Sequence, residues 1–192
     1  MSRLSGTGGG PIAARMKTRF SCLLTVALLL ASPVAAQPKK ATAPAHPAAA
    51  AAAPKQIGKF EDWTAATHAE AGKAVCYAFT RVQSSAPAMP GRGAVVLTVT
   101  ERSSGRDAVA IEAGFSYAPN TTVTVQVDQT GLEFYTSGRN AFARDGKAAV
   151  SAFAKGSRAI ARSPGPKEVT DTFSLKGFSA AYAAIVKACP PK

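Results

Sequence analysis

Histidine and cysteine are scarce in this 192-residue chain, with two and three copies, and there is one tryptophan. Acids are few as well, 11 Asp and Glu against 23 Lys and Arg. His46 and His68 have no cysteine or second histidine at ligand spacing, so the usual zinc arrangements are excluded. No nucleophile signature accompanies His68 and an orienting acid, so no hydrolytic triad is expected. Glu61 and Asp62 are the only adjacent carboxylates; on a strand they would point to opposite faces and could not converge on one substrate. The PGRG run at 90–93 lacks the strand-to-helix setting of a phosphate cradle, and no cofactor is expected. No apolar run reaches the roughly 20 residues that cross a bilayer as a helix.

The longest apolar run, centred on Leu23–Leu30, follows Lys17 and Arg19 and is broken by Thr25, Ser32 and Pro33. Small residues then close it at Val34-Ala35-Ala36. That succession is a secretory signal peptide, assigned to residues 1–36, with translation expected to begin at Met16 and cleavage after Ala36. The leader removes four basic residues (Arg3, Arg15, Lys17, Arg19) and no acids, so the formal charge of +12 becomes +8. A basic exported protein meets anionic envelope or host-surface components before nucleic acid, so those are its expected partners.

Residues 37–56 are almost entirely Ala, Pro and Lys and read as a linker. The alanines Ala48–Ala53 are fenced by Pro47 and Pro54, and so short a helix does not repay its nucleation cost in water. From Ile57 to the end, residues 57–192, one mostly β domain is expected. Its period is two: Val95, Leu97 and Val99 alternate with polar neighbours, as do Val109 and Ile111, Val123, Val125 and Val127, and Leu132 and Phe134. Turn pairs separate the runs at Pro90-Gly91, Ser104-Gly105, Pro119-Asn120, Thr130-Gly131, Ser137-Gly138 and Asp145-Gly146. The Asp145-Gly146 pair predicts a two-residue hairpin, because its turn wants positive φ at both central positions. Short strands at this spacing predict an antiparallel sandwich or barrel. The last segment differs. Phe178, Tyr182, Ile185, Val186 and Cys189 form one helical stripe, and Pro190-Pro191 end it.

Export also settles the cysteine count. Cys22 leaves with the leader, and Cys76 and Cys189 remain as an even pair in an oxidising compartment, so a disulfide is expected between them. It would fasten the terminal helix to an early strand.

FEDWT (Phe60–Thr64) ahead of a cysteine-bearing strand and the closing DTFSLKGFSAAYAAIVKACP resemble the invasion-associated locus B family of Gram-negative bacteria. The resemblance implies an immunoglobulin-like antiparallel β-sandwich with one C-terminal α-helix. It also implies export to the periplasm, the cell surface or the medium. The family takes its name from invasion of host red cells by a pathogen, and most members belong to bacteria that invade nothing. Many relatives carry a cysteine shortly after the tryptophan and a further central pair. Here Thr67-His68 and a cysteine-free stretch 77–188 stand in those places, which puts any function resting on the central pair in question.

Phe60 and Trp63 read as core aromatics rather than a stacking site. Charge is the most suggestive feature. Arg139, Arg144, Lys147, Lys155, Arg158, Arg162 and Lys167 face only Asp145 in sequence and form the candidate anion-binding surface. The predicted hairpin would gather Arg139, Arg144 and Lys147, with Lys155 and Arg158 flanking a turn at Gly156. The functional expectation is an exported, non-enzymatic protein that binds or supports an envelope or host-surface component. The alternative is an enzyme acting on envelope polymers.

Overall fold

The computed structural model describes residues 53–164 and 167–191; the expected leader, with Cys22, and most of the expected linker, with His46, lie outside the described residues. Lys55 and Gln56, linker by composition, already belong to the first strand. Eleven strands are present: β1 (Lys55–Phe60), β2 (Trp63–Glu70), β3 (Lys73–Arg81), β4 (Ser84–Ala86), β5 (Val96–Arg102), β6 (Gly105–Glu112), β7 (Thr122–Val127), β8 (Thr130–Ser137), β9 (Asn140–Ala143), β10 (Arg158–Ser163) and β11 (Val169–Ser174). Two helices accompany them, α1 (Gly146–Lys155) and α2 (Phe178–Ala188).

The strands form one antiparallel sheet in the order β1-β2-β3-β5-β6-β9-β8-β7-β10-β11-β4. One bent segment also bridges its two sides directly. Beyond β3, the Val82 amide bonds the Val95 carbonyl while the next amide, Gln83, bonds Thr172 and leads into β4 beside β11. The sheet therefore folds over on itself as a sandwich, and the alternating apolar residues fill its interior. Leu97, Val99, Ile111, Val123, Val125, Phe134, Ala159, Ala161 and Phe173 are all fully buried there.

Two local expectations are overturned, and the strand considered for Glu61-Asp62 does not form. Asp145-Gly146 is not a hairpin turn. Asp145 is extended and caps α1, its Oδ1 accepting from the Ala148 amide at 2.9 Å. The segment that follows repeats its apolar residues helically, burying Ala149, Val150 and Phe153, so packing and the cap prevail over turn propensity. Among the described residues there are thus two helices rather than one. Thr130-Gly131 opens β8; the turn sits at Asp128-Gln129, with Asp128 taking the positive φ of 49°. Glu61 and Asp62 form the turn between β1 and β2 instead of a strand, with Glu61 at φ 50°.

Helix α2 ends where the prolines predict, with Cys189 as its C-cap. Its buried stripe runs Phe178, Ala181, Ile185 and Cys189, while Tyr182 and Val186 lie half-buried at its flank. The helix lies against the inner side of β1, β2 and β3, and α1 packs on β6 and β8.

Candidate functional site

The two sequence stretches that carry the family resemblance meet in space. Trp63, wholly buried at the start of β2, donates from Nε1 to the Ser174 carbonyl at 3.0 Å. Its ring meets Phe178 edge-on, 4.9 Å between centroids, and Phe178 in turn meets Phe153. Gly177, at φ 84°, sits so close to the Phe60 carbonyl that a Cβ there would collide with it. Only glycine satisfies both demands at that joint. These aromatics anchor the fold.

A second seam lies at the other end of α2. Cys189 is bonded to Cys76 on β3, with 5.9 Å between Cα atoms, a normal disulfide spacing. Cys76 is flanked in register by Thr67 on β2 and Glu101 on β5. Glu101 is wholly buried. Its Oε1 accepts from the Asp107 amide at 3.1 Å, and its Oε2 lies 2.5 Å from Arg106 Nε as an ion-pair contact. Arg106 also donates to the Cys189 carbonyl, and Tyr182 on α2 donates to Asp107 Oδ1, both at 2.5 Å. Burial is the main cause that pushes the Glu101 carboxyl up to about 7, and it likewise raises the Tyr182 hydroxyl. Gly146, at the start of α1, has no room for a Cβ beside the Asp107 carbonyl, so both helices close on this corner.

A third buried group holds the loop before β5. Arg92 grips Asp171 of β11 through both terminal nitrogens, at 2.8 and 2.7 Å, and donates from Nε to the Ala113 carbonyl at 2.6 Å. Ser85 completes the shell of Asp171 at 2.7 Å, and the Phe115 ring lies 5.1 Å from the guanidinium carbon.

The seven expected cations are all exposed, and the sheet separates them. Arg144, Lys147, Lys155 and Arg158 lie at the helical end, where Arg144 approaches Glu133 at 3.5 Å. Arg139 lies in the β8–β9 turn and Lys167 beyond the far end of β10, with Arg162 near it. A six-residue strand spans roughly 20 Å, well beyond a Debye length of about 8–10 Å. The grouping built on an Asp145-Gly146 hairpin does not form. Of the interleaved aromatics, Phe153 is core, whereas Phe142 stacks on the exposed Tyr135 at 5.5 Å.

His68 lies on β2, edge-on to Tyr77, with Nε2 3.1 Å from Glu70 Oε1. Glu70 also accepts from Arg102, whose hydrogen bond is the main reason its carboxyl is lowered to about 2. Glu61 and Asp62 border an open groove of ≈ 350 Å³ with Lys59, Phe79 and Arg81, at the opposite end of β2 from His68. Among the described residues, no three His, Cys, Asp or Glu side chains converge as a metal site, and no helix is long and apolar enough to cross a membrane.

The family model for invasion associated locus B (IalB) protein matches residues 63–186, well over half of the chain. The chain belongs to the IalB family. The crystal structure of invasion associated protein B from Bartonella henselae shares its fold, with a TM-score of 0.50 and 19% identity over 68% of this chain and 95% of that one. No curated protein matches the chain.

The stretches by which this chain resembles the IalB family are therefore packing devices: tryptophan against helix, glycine against backbone. They specify the sandwich and its capping helix without marking a site. The buried groups Glu101, Asp171 and Arg92 and the half-buried Arg106 were not singled out from sequence, yet a signal existed for two of them. Glu101 continues the parity of Leu97 and Val99, and Asp171 lies between Val169 and Phe173 on the same parity. A carboxylate in the apolar register of a strand is a buried carboxylate.

Proposed function

We propose that this IalB-family protein is exported to the periplasm, the cell surface or the medium and works there without catalysis. In this reading it binds or supports an anionic envelope or host-surface component. The observation that carries the reading is the Cys76–Cys189 bond at the core edge, a bond that persists in oxidising compartments. The invasion-associated naming of the family and of the Bartonella henselae structure favours an envelope or host-surface setting. Charge supports the partner. The buried Arg92 is matched internally by Asp171, so the excess positive charge is left to the surface. Of the exposed cations, Lys147, Lys155 and Arg158 surround α1 with no salt-bridge partner among the described residues.

Retention on anionic phospholipid vesicles or lipopolysaccharide tests this reading. Each basic residue near the surface should contribute about 1 kcal/mol of attraction, and binding should weaken steeply as salt rises. Replacing Arg144, Lys147, Arg158 and Arg162 together with Gln should abolish it and leave the fold intact, because all four side chains are exposed. Retention that is absent, or that ignores salt, would contradict an anionic partner.

A further inference from the structure

The corner where α2 ends holds more chemistry than a staple needs. Cys76 and Glu101 are direct cross-strand neighbours, so their Cβ atoms lie roughly 5 Å apart. Glu101 is fully buried, although a strand position beside a disulfide would suit any small apolar residue. The two half-cystines are not equally hidden: Cys76 is 1% exposed and Cys189 6%. Cys189 also borders an open crevice of ≈ 270 Å³ with Lys73, Ala74, Ser103, Ala188 and Pro190. Lys73 at the rim places a cation where a thiolate would enter. From these positions we propose that Cys76–Cys189 is a thiol–disulfide exchange site, attacked at Cys189 by a small thiol or a partner dithiol, with Glu101 protonating the departing Cys76 sulfur.

The steps balance. An incoming thiolate forms a bond to Cys189 Sγ; the Cys76–Cys189 bond breaks and its electron pair goes to Cys76 Sγ. The Glu101 carboxyl gives its proton to that thiolate and becomes a carboxylate beside Arg106. A second thiolate then attacks the outer sulfur of the mixed disulfide and releases Cys189, which takes a proton from water. The protein disulfide is reduced by two electrons, and two external thiols are oxidised to a disulfide. In reverse, the Glu101 carboxylate withdraws the Cys76 proton and generates the nucleophile.

The groups facing Glu101 set the direction of proton transfer. Burial raises its carboxyl to about 7, while the Asp107 amide and the Arg106 charge oppose that rise and the Asp107 side chain reinforces it. An ordinary thiol titrates near 8.5, so a proton on Glu101 moves downhill to a Cys76 thiolate. Tyr182 holds Asp107 from the α2 side.

The test is reduction of the native, oxidised protein by glutathione, quenched in acid and mapped by peptide mass. The first adduct should be on Cys189. The rate constant per glutathione thiolate should fall about tenfold between pH 6 and pH 8, as a group titrating near 7 loses its proton. In Glu101→Gln that fall should vanish. An adduct on Cys76, reduction only at the global unfolding rate, or a pH dependence unchanged in Glu101→Gln would overturn the proposal. If Glu101→Gln does not fold, the position of the wild-type adduct still decides.

Discussion

Replacing Arg92 with Ala should be among the most damaging single changes in the molecule. The Arg92 and Asp171 side chains are 6% and 1% exposed, so neither charge is solvated by water to any useful degree. Removal of Arg92 takes away two charge-assisted bonds at 2.7–2.8 Å and leaves the Asp171 carboxylate with Ser85 as its only side-chain partner. It also strips the Ala113 carbonyl of its 2.6 Å side-chain donor and Phe115 of its cation. Breaking a buried pair in this way costs about 3–5 kcal/mol, chiefly because the surviving charge stays buried. The double variant Arg92→Met, Asp171→Leu removes both charges and should recover most of the loss, since an apolar pair of similar volume has nothing to desolvate. Equilibrium urea unfolding of the wild type, both single variants and the double variant gives the coupling directly. A loss below about 1 kcal/mol for Arg92→Ala, the value of an exposed pair, would refute the assignment of this contact as a buried clamp.

Other consequences follow from the same geometry. Cys189→Ser opens a loop of 113 residues and should lower stability by about 5 kcal/mol in the chain-entropy treatment, with the α2 amides losing hydrogen-exchange protection first. Asp145→Ala deletes the side-chain cap of α1 and should cost about 1 kcal/mol in urea, whereas a hairpin at that position would be little affected. Between about pH 4.5 and 7 the folded chain holds a proton on Glu101 that the unfolded chain has lost, so stability should fall as pH rises through that window. Urea midpoints at pH 5 and pH 7 check this, and Glu101→Gln should flatten the difference. Glu70, held near 2, titrates below the window and does not interfere.

What could be read from the sequence depended on how local the deciding physics was. The strand parity of Val95–Val99 and Val123–Val127, the helical stripe ending at Cys189, and the two prolines after it are local patterns, and each element stands where its pattern placed it. The Cys76–Cys189 pairing followed from counting, once the expected leader is taken to remove the third cysteine. Helix α1 was hidden by a strong turn pair. Asp-Gly serves a hairpin or a helix start equally well, and only the spacing of Ala149, Val150 and Phe153 separates them. The strand order, which joins β6 to β9 and β7 to β10, is set by long-range packing and leaves no local trace. For the same reason a contiguous basic run became two separated groups of cations. The corner of Glu101, Arg106 and Asp107 was half legible: the parity of Glu101 marks it as buried, but its nearness to the disulfide depends on the register of β3 against β5.

The central claim is an exported chain closed by one internal disulfide. Its most direct test is intact-mass and non-reducing peptide analysis of the protein recovered from envelope and medium fractions of cells lysed in a thiol-blocking reagent. The account predicts a chain beginning near Gln37, carrying no blocked cysteine, with Cys76 and Cys189 linked in one peptide pair. A cytoplasmic chain that retains Leu23–Leu30 and carries blocking groups on both Cys76 and Cys189 would contradict it.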